Sequence, residues 1–310
     1  MPEIAEVRLI SDGISSLLKG QKISSVKLVY PETNWSKKKV TGLSSFQDSL
    51  EKGSIVVDEV KTRGKFCWIE LENDWKIMIQ FGMSGNIRLE PTDSYLETFN
   101  QGKKQHLTRE QYLKDCLLKI DYGVDSTIYY HDIRRFGTII FTRDDSVFKA
   151  KLGKLGHDPL QDRLLTDREV VERFRRHNQK NISVVLMDQG AVFTGVGNYI
   201  RSEILYQSKV NPYASVCNIS DRVLVDLYKA YINIARAAYD DGGASLYTFT
   251  GLNGDKSDYK YTLKVYGKKQ DPLGNRVVYV GDKEAPAKRS LYWVPSIQTE
   301  GLEEEIIEDL

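Results

Sequence analysis

Met1 is followed by Pro2 and Glu3, and Glu6 comes one helical turn later. A small second residue normally permits removal of the initiator methionine, which would leave the secondary amine of Pro2 as the chain terminus. Such an amine can attack a sugar C1′, expel the base and form an iminium ion. The iminium withdraws electrons and acidifies the C2′ proton, so loss of the 3′-phosphate can follow. That chemistry needs a proton carrier, and Glu3 and Glu6 are the nearest candidates. Early acids also suit an ordinary helix N-terminus, so these six residues carry both readings.

Five further constellations stand along the chain. Arg63-Gly64-Lys65 presents two cations around a turn glycine, either solvated or with Lys65 reaching a phosphate or a reaction centre. In QFGMSGN (80–86), Gly82 and Gly85 allow a turn that pushes Met83 outward, and an exposed Met is a flexible apolar wedge suited to entering a base stack; the other reading is a core methionine. Asp132-Ile133-Arg134-Arg135-Phe136-Gly137 sets two guanidinium groups beside an aromatic ring, a combination that can hold phosphate and fill a gap in a duplex, or simply charge an edge strand. Gly195-Val196-Gly197-Asn198 lies between two helical stretches. Its backbone N–H groups, with Asn198, can hold a phosphate at a helix start, or they can form a packing junction. Lys288-Arg289-Ser290 precedes an aromatic strand, where Arg289 could touch phosphate.

The elements that must position these residues fall into two halves. Ile4, Val7, Ile10, Ile14 and Leu17/Leu18 form one helical face over residues 2–19, and Gly20 stops it. From 22 to 145 the pattern changes to short strands: Val26/Leu28/Tyr30 and Ile77/Ile79/Phe81 alternate, and FCWIEL (66–71), NIRLE (86–90), CLLKID (116–121), TIYY (127–130) and GTIIFT (137–142) are strand-like. Residues 91–115 form a polar excursion too long for an ordinary hairpin loop. After GHDPL (156–160) the period is helical over 165–177, 182–189, onward to about 209, and from an N-cap at Ser220 to Gly242-Gly243. RVVYV (276–280) and SLYWV (290–294) close the chain as a hairpin.

The 310 residues carry a formal charge of +1. Residues 299–310 (TEGLEEEIIEDL) hold six of the acids and no Lys or Arg, so residues 1–298 set 44 basic residues against 37 acidic ones, a formal +7. A basic body with an acidic, disordered tail is therefore expected, and a near-neutral total does not argue against DNA. The three cysteines, Cys67, Cys116 and Cys217, are widely spaced, which excludes a disulfide scaffold and offers no C-x-x-C metal knuckle. No signal-peptide pattern or 18-residue apolar run is present, so an intracellular chain is expected.

Taken together, MPEIAEV, RGK, QFGMSG, DIRRFG, LGHDPL, LMDQGAVFTGVGNYIRSEIL, VYG and KRSLYW follow one another over about residues 2–298. In that order they resemble the formamidopyrimidine-DNA glycosylase / endonuclease VIII family. QFGMSG, DIRRFG and GVGNYIRSEIL look most like its endonuclease VIII-like branch.

The resemblance implies an α+β fold. Residues 1–145 would form a two-sheet β-sandwich with an N-terminal helix, 146–163 a linker, 164–262 a helix–two-turns–helix domain, 263–298 a finger hairpin and 299–310 the tail, with DNA in the cleft between the domains. It implies a monomeric, cofactor-free DNA glycosylase/AP lyase of base excision repair acting on damaged duplex, single-stranded or bubble DNA. The location would be the nucleus in a eukaryote, the cytoplasm or nucleoid in a bacterium, or an infected cell for a virus. On the family pattern Pro2 is the Schiff-base nucleophile, Glu3 the general acid/base and Glu6 its support. Lys65 is a lysine that contacts DNA and assists catalysis. Met83, Arg134 and Phe136 fill the space of the flipped nucleotide, Asn198 and Arg289 bind phosphate near the lesion, and Arg135 is a structural or phosphate contact.

Departures from the pattern also count. Positions where many members carry zinc-binding cysteines read Leu273, Arg276, Val294 and Ile297, with Arg289 and Gln298 retained, which resembles the zincless finger of some members. Ser183 stands where a lysine is common. Oxidised pyrimidines and hydantoins are the implied substrates. Two alternatives stay open here, namely 8-oxoguanine or formamidopyrimidine as substrate, and damaged-DNA binding without efficient excision. The loop 244–262 is expected to border the base pocket.

Overall fold

A computed structural model describes residues 2–30, 34–89, 97–100, 103–106, 108–244 and 263–302, with backbone only at 34, 97–100 and 103–106. Met1, most of the loop 244–262 and the tail beyond 302 lie outside the described residues, as do parts of the 91–115 excursion. The chain divides into two compact units. Among the described residues, one holds Pro2 and Glu6–Leu152; the other holds Glu3–Ala5, 153–244 and 263–302.

Helix α1 (Ile4–Leu18) belongs to the first unit from Glu6 onward, and its Val7, Ile10, Ile14 and Leu18 are buried as their spacing predicts. Nine strands then hydrogen-bond in one continuous order, β2-β11-β5-β4-β3-β1-β9-β10-β6. Their ranges are β1 (Lys22–Leu28), β2 (Val40–Thr41), β3 (Ile55–Arg63), β4 (Phe66–Leu71), β5 (Lys76–Gln80), β6 (Asn86–Leu89), β9 (Cys116–Tyr122), β10 (Ser126–His131) and β11 (Thr138–Thr142). The two expected sheets are the two wings of this ladder. They join where β1 pairs with β3 through only Lys22↔Val56 and Ile23↔Ile55. A separate hairpin, β7 (Glu97–Asn100) with β8 (Lys103–His106), and α4 (Arg109–Leu113) occupy part of the polar excursion.

Two short helices absent from the strand reading, α2 (Asn34–Lys39) and α3 (Leu43–Leu50), sit in the first half of this unit. Helix α3 buries a single side chain, Phe46, against Trp75 at 5.0 Å and Phe141 at 5.1 Å. One anchor of this kind contributes about 1.5–3 kcal/mol but leaves no helical period in the sequence. Helix α5 (Asp145–Leu152), which falls within the expected linker, seats Phe148 against Trp68 at 5.2 Å.

The second unit takes the chain from Gly153. GHDPL packs rather than links: Gly156 N–H donates to the Gln189 carbonyl at 2.7 Å and Thr194 N–H to the His157 carbonyl at 2.9 Å. Helices α6 (Asp167–Arg175), α7 (Ile182–Met187), α8 (Asn198–Gln207) and α9 (Asp221–Asp240) follow. Thr166 and Glu169 start α6 with a reciprocal capping box. Phe193, on the two turns between α7 and α8, packs against the rings of Phe174, Tyr228 and Tyr231 at 5.1–5.5 Å, and the Tyr231 hydroxyl donates to the Thr194 carbonyl. Strands β12 (Val278–Val280) and β13 (Leu291–Trp293) pair as the terminal hairpin. Its root, expected to end at Gln298, extends to Leu302: Asn211 N–H donates to the Glu300 carbonyl at 3.0 Å and Glu300 N–H to the Lys209 carbonyl at 3.1 Å.

Candidate active site

The carboxylate of Glu3 closes the N-terminus of α8. Gly197 N–H donates to Oε2 at 2.7 Å, Tyr199 N–H to Oε1 at 3.0 Å and Ile200 N–H to Oε2 at 3.3 Å. An anion here meets unpaired helix donors and the positive end of the helix dipole, and Glu3 is only 1% exposed. The glycines of Gly195-Val196-Gly197 make this possible. A Cβ on Gly197 would lie 2.3 Å from the Glu3 Cδ, and one on Gly195, at φ 90°, would lie 2.6 Å from Ile4 Cβ. Gln189 holds the approach by accepting the Gly195 N–H at 2.8 Å and donating to the Val196 carbonyl at 2.9 Å. The expected phosphate cradle of backbone N–H groups is thus occupied by the protein's own carboxylate. Only the side chain of Asn198, half-buried at the first helical position, keeps the phosphate reading.

Pro2 and Glu6 are both buried, Glu6 completely. Lys65 follows Gly64 in the two-residue turn between β3 and β4, where Arg63 pairs with Phe66. Gly64 has φ 57°, as a hairpin turn with glycine first requires, and Lys65 is half-buried.

Met83, Arg134 and Phe136 sit on two loops that lie side by side. One joins β5 to β6 and the other joins β10 to β11, and these strands pair as β5 with β11 and β6 with β10. Asp132, fully buried, binds the loops together. Its Oδ1 accepts the Ser84 hydroxyl, and its Oδ2 accepts the Gly137 N–H at 2.8 Å. Ser84 Oγ in turn accepts the Arg134 N–H at 2.9 Å. Three glycines permit this closeness: a Cβ on Gly82 would meet the Gly137 nitrogen at 2.9 Å, and Cβ atoms on Gly85 and Gly137 would strike the Tyr130 hydroxyl. At the surface Arg134 Nη1 lies 3.4 Å from Met83 Sδ, and Phe136 is 55% exposed. Arg135, exposed at φ 56°, closes the turn by donating its N–H to the Asp132 carbonyl at 3.1 Å.

Helix α8 is buried from Tyr199 to Tyr206 and spends three consecutive polar residues on three segments. Arg201 donates to the carbonyls of Pro286, Arg289 and Ser290 at 3.2, 2.9 and 2.7 Å. Burial pulls its guanidinium down to about 10, so it stays charged at neutral pH. Ser202 Oγ accepts the Tyr292 N–H at 3.3 Å. Glu203 accepts the N–H groups of Lys264, Val265 and Tyr266 at 2.9–3.1 Å, and burial raises its carboxyl above the usual range despite these donors. Arg289 itself is exposed. Of the residues singled out by sequence, the structure therefore brings Glu3 to the helix that starts at Asn198, ties Arg289 to that same helix, and sets Met83 against Arg134. Pro2, Glu6, Lys65 and the two loops belong to the first unit, and Glu3, Asn198 and Arg289 to the second.

Three family models match in order along the chain: the formamidopyrimidine-DNA glycosylase N-terminal domain over residues 1–139, its H2TH domain over 155–250 and its C-terminal domain over 253–299. The chain belongs to the formamidopyrimidine-DNA glycosylase family. It is a DNA glycosylase with AP lyase activity, an enzyme of DNA repair. Similar curated formamidopyrimidine-DNA glycosylases come from Psychromonas ingrahamii, 30% identical over 86% of this chain and 89% of that one, and from Bacillus cereus, 27% identical over 88% and 90%. The fold is shared with a Lactococcus lactis Fpg crystallised with DNA containing an abasic site, at TM-score 0.75 and 24% identity over 96% of this chain and 99% of that one.

The zinc that many formamidopyrimidine-DNA glycosylases hold does not fit the residues present. Val294 is buried with Tyr206, Val265 and Val277, and Ile297 packs on them. Among the described residues no cluster of His, Cys, Asp and Glu could take a metal. In place of a metal, Asp271 organises the first turn of the hairpin. It accepts the N–H groups of Leu273 and Asn275 at 2.9 and 2.8 Å and the Tyr206 hydroxyl at 3.0 Å. Gln298, fully buried, accepts the Val294 N–H at 2.7 Å and donates to the Val210 carbonyl at 2.9 Å. Ser183 donates to the Pro212 carbonyl at 2.8 Å. Sequence reasoning passed over Asp132, Arg201, Glu203 and Asp271 as site-building residues. A signal existed for Arg201 and Glu203, since charged residues inside an otherwise apolar helix must be satisfied internally.

Proposed function

We propose that the protein removes oxidised bases from DNA through a Schiff base on Pro2 and then cleaves the abasic strand by β- and δ-elimination. The observation that carries this reading is the seat of Glu3. A carboxylate next in sequence to the nucleophile is fixed by three backbone donors rather than left on a mobile chain terminus. The neutral Pro2 amine attacks C1′ of the damaged nucleotide as the base departs with a proton. An α-amino group titrates near pH ~8, close enough to neutrality to be used. Glu3 moves the proton at the opening sugar and balances the positive charge that builds there. Loss of the C2′ proton expels the 3′-phosphate, and a second elimination expels the 5′-phosphate. Lys65 contacts DNA and assists catalysis, Glu6 supports Glu3, and Asn198, Arg289 and Arg135 hold phosphates. Met83, Arg134 and Phe136 take the space of the extruded nucleotide, offsetting an unstacking cost of a few kcal/mol.

The motif forms support the endonuclease VIII-like branch with a zincless finger, and hence oxidised pyrimidines and hydantoins as substrates. One structural relative, a Lactococcus lactis Fpg at TM-score 0.74, was crystallised with DNA containing an oxidised pyrimidine. A second reading, excision of formamidopyrimidine or 8-oxoguanine, is supported by the names of the curated relatives. Borohydride reduction during turnover tests the chemistry: a covalent protein–DNA adduct should form and should be weakened or abolished in Pro2→Gly and when Met1 is retained. An undiminished adduct from a protein with a blocked N-terminus would falsify the Pro2 assignment. A cleavage panel of oxidised pyrimidines, hydantoins, 8-oxoguanine and formamidopyrimidine, in duplex and single-stranded DNA, separates the two lesion classes.

A further inference from the structure

The terminal hairpin carries more than Arg289. Tyr279 on β12 is 59% exposed, unusual for so large an aromatic ring on a paired strand. It stands directly across from Tyr292 in the β12–β13 register, with ring centroids 5.1 Å apart. Tyr292 meets Tyr266 at 4.9 Å, and Tyr266 meets Tyr199 at 6.4 Å. The Tyr199 N–H is one of the three that hold Glu3. A line of four rings therefore runs from the helix start that seats the carboxylate out to one ring in solvent. Of its inner members, Tyr292 packs on the hairpin core, and the backbone of Tyr266 is held by Glu203, which accepts the Tyr266 N–H at 2.9 Å.

The surrounding charge is positive. Residues 263–298 hold seven Lys and Arg against three Asp and Glu. Asp271, one of the three, is spent inside the fold on Asn275 and Tyr206. Lys268, Lys269, Arg276 and Arg289 are exposed. A solvent-facing ring with cations in the same short segment suits a polyanion whose units carry flat π-faces. An acidic protein surface would use the charge but not the ring.

We propose that Tyr279 is a stacking platform for an unpaired nucleobase of the DNA strand outside the lesion, with the exposed cations of the hairpin taking the flanking phosphates. The inference rests on the DNA-glycosylase reading and adds a second contact to it. Inside a duplex the bases are stacked on one another and present no free face, so the platform acts on single-stranded or locally opened DNA. Rings packed edge-on or tilted behind Tyr279 restrain its orientation before DNA arrives, so little is lost in ordering it.

The test uses the full chain and two probes that carry a non-reactive abasic analogue, one fully paired and one single-stranded. Tyr279→Ala should weaken single-stranded binding by about 5- to 150-fold, the range for loss of one base–aromatic stack. Duplex binding should change by less than about twofold, and Tyr279→Phe should keep both. A single-stranded probe carrying 5-bromouracil should crosslink on irradiation at the peptide containing Tyr279. Unchanged single-stranded binding by Tyr279→Ala, or an equal loss on both probes, overturns the platform. Borohydride trapping by the same variants separates the two levels: a normal Pro2 adduct with unmoved single-stranded binding refutes the platform alone, and no adduct from the wild-type protein refutes the Pro2 reading while the two-probe binding comparison still decides the platform.

Discussion

Arg201 holds the backbone that carries Arg289, donating from Nη2 to the Arg289 carbonyl at 2.9 Å and to the Ser290 carbonyl at 2.7 Å. The first residue is fully buried and the second is exposed. If Arg289 binds a phosphate, Arg201 acts through it as a positioning residue. Arg201→Met and Arg289→Ala should then weaken binding of an abasic-analogue duplex to the same level, and the double variant should be no weaker than either. Each should lower the slope of log affinity against log salt by about 0.9, the loss of one phosphate contact. Fluorescence anisotropy between about 50 and 200 mM salt measures both quantities. Losses that simply add would mean that the two arginines work independently.

Glu3 and Gly197 make a second pair. In Glu3→Gln one carboxylate oxygen becomes an NH2 facing backbone N–H groups that point the same way. The unsatisfied donors should cost about 1–3 kcal/mol, and excision should fall by about 100-fold or more with the proton carrier gone. Gly197→Ala keeps the carboxylate but puts a Cβ 2.3 Å from its Cδ. It should lose excision to a similar degree, read as single-turnover base release. Normal turnover by Gly197→Ala would show that the helix seat is dispensable.

How much of this was legible depended on what each residue leaves in the sequence. The face of α1 and most of the long strands of the sheet were visible because many side chains repeat at one period. Strand β3 was not, since Asp58, Glu59 and Lys61 break its alternation, and Lys61 meets Glu59 and Glu70 across the surface. Helix α3 rests on Phe46 alone, so no period could form. The candidate nucleophile and the proposed void-filling residues stood out in the sequence because their types are uncommon in combination. Their supports were not: Asp132, Arg201 and Glu203 act on backbone atoms 5 to 89 residues away, and a backbone carbonyl has no letter of its own. The glycines of Gly195-Val196-Gly197 pointed to the right place with the wrong occupant. Glycine marks a close approach, and only the structure says that the approaching group is Glu3.

Acid should destabilise the first unit through His131. Its ring stacks on Tyr112 at 5.3 Å, and burial pushes the imidazole down to about 3, with Arg88 adding to the effect. An unfolded histidine titrates near pH ~6.5. The folded value is the lower one, so the stability is fully present above about pH 6.5 and is lost as the pH falls toward about 3. Within that window the unfolded chain holds one more proton, a slope of up to about 1.4 kcal/mol per pH unit. His131→Phe keeps a flat ring and removes the proton site. Urea unfolding at about pH 7, 6, 5 and 4 should give a shallower decline for the variant; parallel declines would assign the acid sensitivity to other groups.

The acidic tail divides at Leu302. Glu300 joins the fold through its backbone to Lys209 and Asn211, and its Oε1 accepts the Ser220 hydroxyl at 3.4 Å. Residues 303–310 carry five acids and no Lys or Arg. Deleting 303–310 should leave the melting temperature and lyase rate unchanged and tighten DNA binding at low salt, because five negative charges no longer compete with phosphate for the basic body. The gain should fade at high salt, where such exposed charges are screened. Deleting 299–310 removes the Glu300 bonds as well. Each lost backbone hydrogen bond is worth about 1 kcal/mol net, so the second unit should melt several degrees lower. Binding that tightens equally at all salt concentrations would exclude charge as the cause. An unchanged melting temperature for the longer deletion would show that the Glu300 bridge adds nothing to the fold.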